Sequence, residues 1–277
     1  MKVAALSRTL LQAAFLAVWS VVWISLALLV ALVTWNRSAP LVMARRCWAP
    51  ALIRATGARY QVDAMPPIDF SVPHIFVMNH QSMLDIACAF ASIPVNLRFV
   101  AKNVLKFVPF LGWFMWLTGM IFVDRSRGTQ AVRSFAKAAV KIREGASIIV
   151  FPEGTRSRDG SILPFKRGPF ALALQAGVAI VPVAIEGSGQ VLGAGGFRLA
   201  PGLVRLRIGQ PIATAGRAAH ERDQLRREVR LALIDLHREI GGAGGADEAV
   251  LEATSGCDRT LAEPACGAVA SAIGGGE

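Results

Sequence analysis

A histidine and an aspartate five residues apart, His80 and Asp85, are the first residues in this chain whose types and spacing could do chemistry. They close the run His74-Ile75-Phe76-Val77-Met78-Asn79-His80-Gln81-Ser82-Met83-Leu84-Asp85, in which a strand-like apolar stretch gives way to a turn and then to a helix. Ser82, with an acid three positions on, resembles a capping box and predicts a helix that starts at Ser82. Five residues are about 140° around a regular helix, so the two side chains would diverge if both were helical. With His80 in the preceding turn, its imidazole can fold back onto the Asp85 carboxylate. A carboxylate that accepts the Nδ1 proton leaves Nε2 as a base and stabilises the imidazolium that forms. That is a catalytic triad with the acceptor's own hydroxyl in place of the serine. Ser82 is a poorer nucleophile candidate, because no Gly-X-Ser-X-Gly elbow surrounds it. Taken alone, a pair at this spacing is more often a helix cap beside a hydrogen-bonded turn residue.

A second group of candidates follows another apolar run. Residues 147–151 read as a strand, and the loop 152–157 leaves its end. Gly154 permits a sharp turn or a close approach of backbone to ligand. Thr155 and Arg156 supply donors, and a guanidinium suits bidentate binding of phosphate. Glu153 cannot bind phosphate directly and is expected to hold Arg156 or a glycerol hydroxyl. Arg125 also follows an apolar run and could clamp the same phosphate from the same edge of a sheet. Lys102, Lys166 and Arg167 are secondary anion candidates. For each of these cations the bland alternative is a solvated ion pair, worth under about 1 kcal/mol.

These residues need a scaffold, and the patterning supplies one. From about residue 75 the chain alternates short apolar runs, at 74–78, 97–101, 119–123, 147–151, 179–185 and 204–208, with helical stretches at 82–92, 129–143, 168–176 and 218–240. This predicts an α/β domain over 63–240, a layered mixed sheet with flanking helices. Ahead of it, over 1–62, lies an N-terminal membrane helix or two-helix membrane motif. Residues 10–35 are uncharged and almost wholly apolar, while about 20 such residues suffice to cross a bilayer. Residues 39–56 mix apolar side chains with arginines, as an interfacial amphipathic helix does, and the two segments could equally form a hairpin in one leaflet. The uncharged, aromatic-rich stretch 107–123 is short for a span and is broken by Pro109, Gly112 and Gly119. It is expected to be interfacial. Residues 241–277, rich in Gly and Ala, are expected to be a disordered acidic tail.

Composition narrows the partners. Hydrophobic residues make up 53% of the 277, and the mean hydropathy is +0.46, both high for a soluble domain. The tail holds six acids and only Arg259, which leaves 29 basic against 13 acidic residues in the remainder. Such a surplus suits anionic lipid or nucleic acid. The basic residues are not interleaved with aromatics, so lipid is the expected partner and nucleic acid is not. The arginines just after residue 35 outnumber the basic residues before residue 10, which weakly orients the domain to the cytoplasmic side of the membrane. Cys47, Cys88, Cys257 and Cys266 form neither a metal spacing nor a compact disulfide pattern.

Asn79-His80 with Asp85 resembles the NHxxxxD block of the glycerolipid acyltransferases, the family of 1-acyl-sn-glycerol-3-phosphate acyltransferase. Three further blocks follow in that family's order. Phe122-Val123-Asp124-Arg125 resembles the second, Phe151-Pro152-Glu153-Gly154-Thr155-Arg156-Ser157 the third, and Val181-Pro182-Val183-Ala184-Ile185 the fourth. The resemblance spans residues 73–211. It implies acyl transfer without a covalent acyl-enzyme. His80 would be the base that activates the sn-2 hydroxyl of lysophosphatidic acid, and Asp85 would orient it. Arg125, Glu153, Gly154, Thr155 and Arg156 would bind the phosphate and glycerol. The co-substrate would be an acyl-CoA or acyl carrier protein thioester, with no bound cofactor or metal, and the product phosphatidic acid. A lyso-ornithine lipid acceptor is the alternative within this chemistry, and a non-catalytic membrane scaffold the alternative outside it. A scaffold has no chemical need for both His80 and Asp85.

Overall fold

The computed structural model describes residues 2–63, 65–123, 128–195 and 198–245. Helix α1 (Lys2–Thr34) carries an uncharged stretch, Leu10–Thr34, of which little is buried: Leu11, Leu32 and Val33 are about 70% exposed. At its end Asn36 Oδ1 accepts the amides of Ser38 and Ala39 at 2.9 and 3.3 Å and turns the chain back. Helix α2 (Ala39–Met43), a π-turn (Ala44–Trp48) and α3 (Ala49–Ala55) then run in uninterrupted succession. They lie antiparallel to α1. Gln12 Nε2 donates to the Ala55 carbonyl, Trp19 Nε1 to the Trp48 carbonyl, and Trp48 Nε1 to Ser20 Oγ, at 3.2–3.3 Å. The two segments thus pack as an antiparallel helical hairpin.

Seven strands form one sheet. They are β1 (Arg59–Val62), β2 (Ile75–Met78), β3 (Arg98–Lys102), β4 (Ile121–Val123), β5 (Ile148–Val150), β6 (Ile180–Glu186) and β7 (Leu203–Ile208). Their spatial order is β1-β7-β6-β2-β5-β3-β4, parallel throughout except for the antiparallel pair β6–β7. The sheet is therefore mixed, as the patterning implies. Helices cover both faces, so the central strands read as unbroken apolar runs rather than alternating ones. All four residues of β2 are buried. Phe76 and Met78 join a core with the hairpin and α4 (Leu84–Ser92), while Ile75 and Val77 join a second core with α6 (Gly128–Arg143), α7 (Gly168–Ala176) and α9 (Arg222–Glu239). The short helices α5 (Leu111–Leu117) and α8 (Ser188–Val191) complete the set described.

Two expectations change. Residues 59–62 fall in the segment assigned to the membrane but form edge strand β1, paired with β7. Its amide and carbonyl ladder outweighs a sequence, Arg-Tyr-Gln-Val, that is only half apolar. Helix α4 begins at Leu84 rather than Ser82, because Asp85 Oδ2 captures the amides of Gln81 and Ser82 and holds them in a turn. Residues 107–123 contain the seven-residue α5 and the strand β4. They bury Phe114 and Met115 while exposing Phe107, Trp113 and Trp116, the two-sided character expected of an interfacial segment. The acidic tail from residue 246 lies outside the described residues.

One side chain fixes how β2 ends. Asn79 is buried; its Nδ2 donates to the Ile185 carbonyl at 2.9 Å and its Oδ1 accepts the Ile185 amide at 2.8 Å. The amide side chain thus continues the β2–β6 ladder by one rung while the backbone departs into the His80 turn. Replacing Asn79 with Ala leaves a buried N–H and a buried C=O unpaired, each costing about 1–3 kcal/mol. Chemical denaturation of Asn79→Ala should show a loss of about 2–5 kcal/mol.

Candidate active site

His80 and Asp85 meet at the carboxyl end of β2, where ligands gather in open α/β sheets. His80 Nδ1 lies 2.7 Å from Asp85 Oδ2. The same oxygen accepts the amides of Gln81 and Ser82 at 2.7 and 2.8 Å. Asp85 is fully buried, so this contact is not a screened surface pair. Hydrogen bonds to a charged acceptor contribute about 1.5–3 kcal/mol each, and here they offset part of the desolvation of the carboxylate, whose Oδ1 is buried without a hydrogen-bond partner. Because Asp85 takes the Nδ1 proton, Nε2 is the basic nitrogen, and it has no hydrogen bond among the described residues. Phe151, at the end of β5, stacks on the imidazole with centroids 3.9 Å apart and planes at 16°. The ring cannot rotate away from Asp85 without losing that face. Ser82 Oγ donates to the Leu192 carbonyl at 2.6 Å and accepts the Leu84 amide, so it is occupied structurally.

The arginine loop reaches the same turn. The Ser157 amide donates to the His80 carbonyl at 2.7 Å. This bond joins the loop 152–157 to the residue bearing the imidazole. Gly154 has φ of +76°, a conformation that a side chain would strain. Thr155 is exposed and Arg156 half-buried; Arg156 has no hydrogen bond or ion pair among the described residues. Arg125 lies outside the described residues. Among the secondary cations, Lys102 and Lys166 are exposed, and Arg167 pairs with Asp223 at 3.2 Å.

Glu153 behaves differently from its expected role. It is buried, with Oε1 accepting the His80 amide at 2.8 Å and Oε2 the Leu163 amide at 3.0 Å. Both oxygens are thereby committed to backbone, so Glu153 braces the His80 turn instead of reaching Arg156 or a hydroxyl. Burial pushes its carboxyl up to about 8, against the opposing pull of the two amides.

A second buried polar group abuts the turn and was not legible in the sequence. His237 on α9 accepts the Gly244 amide at Nδ1 (3.1 Å), so Nε2 carries the proton directed at Glu186 Oε2, 2.6 Å away. Gln81 Nε2 donates to the same Glu186 oxygen at 2.8 Å. Gln81 is next to His80, so the network ties β6 and the end of α9 to the catalytic candidate. No local spacing announces this: Glu186 and His237 are 51 residues apart.

The Glu153 brace carries a signed pH dependence. Its carboxyl titrates higher in the fold than in the unfolded chain, so the native state binds the extra proton. Its contribution is complete below about 4.5 and is lost as pH rises through about 8. Thermal unfolding of the wild type should fall across that window relative to Glu153→Gln, which has no titration there; parallel curves for the two proteins would remove Glu153 as the cause.

With this geometry in view, comparison with known proteins is informative. A family model described as Acyltransferase matches residues 59–186, from β1 to the last residue of β6. An uncharacterised acyltransferase of Schizosaccharomyces pombe is 40% identical over 173 residues, covering 61% of this chain and 62% of its own. The human 1-acyl-sn-glycerol-3-phosphate acyltransferase alpha is 34% identical over 194 residues, covering 69% of each chain. This chain thus spans between three fifths and seven tenths of the length of these curated relatives. The crystal structure of the 1-acyl-sn-glycerophosphate (LPA) acyltransferase PlsC from Thermotoga maritima superposes with a TM-score of 0.74 at 26% identity, over 86% of this chain and 98% of that one. The motif blocks, the sheet that carries them and these relatives agree: the chain belongs to the 1-acyl-sn-glycerol-3-phosphate acyltransferase family.

Proposed function

We propose that this chain transfers a fatty acyl group from a thioester to the sn-2 hydroxyl of lysophosphatidic acid, giving phosphatidic acid. The observation that carries the reading is the buried Asp85 carboxylate 2.7 Å from His80 Nδ1, with Nε2 left as the base. The acceptor hydroxyl gives its proton to Nε2 as its oxygen attacks the thioester carbonyl. The tetrahedral intermediate then collapses, breaking the carbon–sulfur bond, and the leaving thiolate takes the proton back from the imidazolium. Every proton is accounted for by one imidazole, and no covalent acyl-enzyme is required. Asp85 orients the ring and stabilises its cation. Arg156, whose guanidinium has no protein counter-ion among the described residues, holds the acceptor's phosphate. Arg125 is retained as a second phosphate ligand, with Gly154 and Thr155 shaping the loop. Glu153 acts through the His80 backbone. The thioester is that of acyl-CoA or acyl carrier protein.

The hairpin supports a membrane-bound enzyme that works from one side of the bilayer. Over residues 12–55 the two limbs run antiparallel, and α3 packs on α4 of the sheet's own layer. A helix held along the domain in this way does not cross the bilayer beside it. Its exposed apolar face, together with Phe107, Trp113 and Trp116, suits shallow burial in the leaflet that supplies the lysolipid. The basic surplus of the domain suits an anionic cytoplasmic leaflet.

A membrane assay offering labelled acyl thioester to a panel of lysolipids tests the whole reading; preference for an acceptor without phosphate would overturn it. His80→Ala should lower turnover by about 100-fold or more while the protein still folds and inserts. Normal turnover by that variant would refute the base. Arg156→Ala should raise the Michaelis constant for lysophosphatidate about 10-fold or more with a smaller effect on kcat, as loss of a charged hydrogen bond predicts.

A further inference from the structure

At the opposite end of the sheet from His80 lies a cavity of about 600 Å³. Its walls come from the turn of the hairpin (Arg37, Ser38, Val42, Arg45), from the loop entering β3 (Arg98), and from the ends of α5 and α6 (Gly119, Lys141, Glu144). Ser147, which precedes β5, also lines it. Phe151, which stacks on His80, is four residues further along, about 13 Å at 3.3 Å per strand residue. The cavity is therefore separate from the candidate active site, with the length of a strand between them.

Its charge is unbalanced. Arg37, Arg45, Arg98 and Lys141 face one acid, Glu144, and no ion pair within 4 Å joins Glu144 to any of them among the described residues. Arg98 Nε donates to the Thr118 carbonyl at 3.2 Å and Lys141 Nζ to the Gly119 carbonyl at 2.9 Å, so both are held in place without being neutralised. Arg45 Nε is buried with no hydrogen-bond partner. Burial lowers the pKa of both Arg98 and Lys141, and Arg98 and Arg37 lower that of Lys141 further. A fold that holds four cations around an open cavity is complementary to a multivalent anion. Its three guanidiniums, two from the hairpin and one from β3, offer forked donors of the kind phosphate accepts. Trp35, 88% exposed and two residues from Arg37, is a side chain of the type enriched at membrane–water interfaces, which suits a headgroup ligand.

We infer that this cavity is a second phosphate site, distinct from the one that receives the acceptor, and that it takes the phosphate of an anionic phospholipid. Occupancy would clip the hairpin, through Arg37 and Arg45, to the sheet domain, through Arg98 and Lys141. The volume admits a phosphate with a small headgroup but not two acyl chains, which would stay in the leaflet beside α1.

Calorimetric titration of the full chain in a neutral detergent tests this. The probes are dihexanoyl phosphatidylglycerol, dihexanoyl phosphatidylcholine and inorganic phosphate. Phosphatidylglycerol should bind saturably and more tightly than phosphatidylcholine. The Arg98→Gln, Lys141→Gln double variant should weaken it by about tenfold or more, as loss of two charged contacts predicts. Arg156→Ala should leave it unchanged. Because Arg98 and Lys141 also bond carbonyls, the double variant could unfold. Glu144→Gln, at an exposed position, therefore gives an independent reading and should tighten binding about two- to fivefold. Saturation by inorganic phosphate with the same response to these variants would keep the site but assign it to a soluble phosphate. No saturable binding of any probe, or affinity unaltered by either the double variant or Glu144→Gln, would overturn the inference.

Discussion

The Asp85 carboxylate is the constraint on which the rest is built. A carboxylate with no solvent exposure is tolerated only when donors replace the water it has lost, and three arrive at one oxygen: the His80 imidazole and the amides of Gln81 and Ser82. The requirement is reciprocal. The donors need the carboxylate as much as it needs them, so the turn between β2 and α4 takes the one path that lets residues 80, 81 and 82 converge on residue 85. The chemistry proposed for His80 uses a geometry that burial already imposes.

Around that point the sheet supplies fixed walls. Asn79 ends β2 by substituting its side chain for backbone, Glu153 anchors the His80 amide from the neighbouring β5 loop, and Phe151 covers the imidazole face. Each lies within three residues of the end of β2 or of the adjacent strand β5, so the sheet fixes where all three begin. The Gln81–Glu186–His237 network adds α9 to the same turn. A local rotation of His80 would disturb hydrogen bonds in three other elements, which is how a turn residue becomes a positioned one.

Much of this was legible in the sequence because it is local. The five-residue spacing of His80 and Asp85, the apolar runs of β2, β5 and β6, and the uncharged stretch of α1 all depend on residues near one another. Strand β1 was not, since Arg59 and Gln61 give no apolar signal and only pairing with β7, 144 residues on, makes them a strand. Glu153 was misread because its type suggested a polar partner with a charge, whereas its partners are backbone amides that carry no sequence signature. The pairing of Glu186 with His237 is a product of tertiary packing. Arg156 was singled out by type, and it is the bonds from the Ser157 amide to the His80 carbonyl and from the His80 amide to Glu153 that tie its loop to the residue bearing the imidazole.

The antiparallel hairpin has a consequence for biogenesis. Its turn at Asn36 is stitched by its own side chain, and its returning limb docks on α4. Under the insertion proposed above, an anchor of this form joins a bilayer from one side without any loop being carried across it. Assembly then needs a lipid surface and a folded sheet, in either order, and no channel for threading polypeptide.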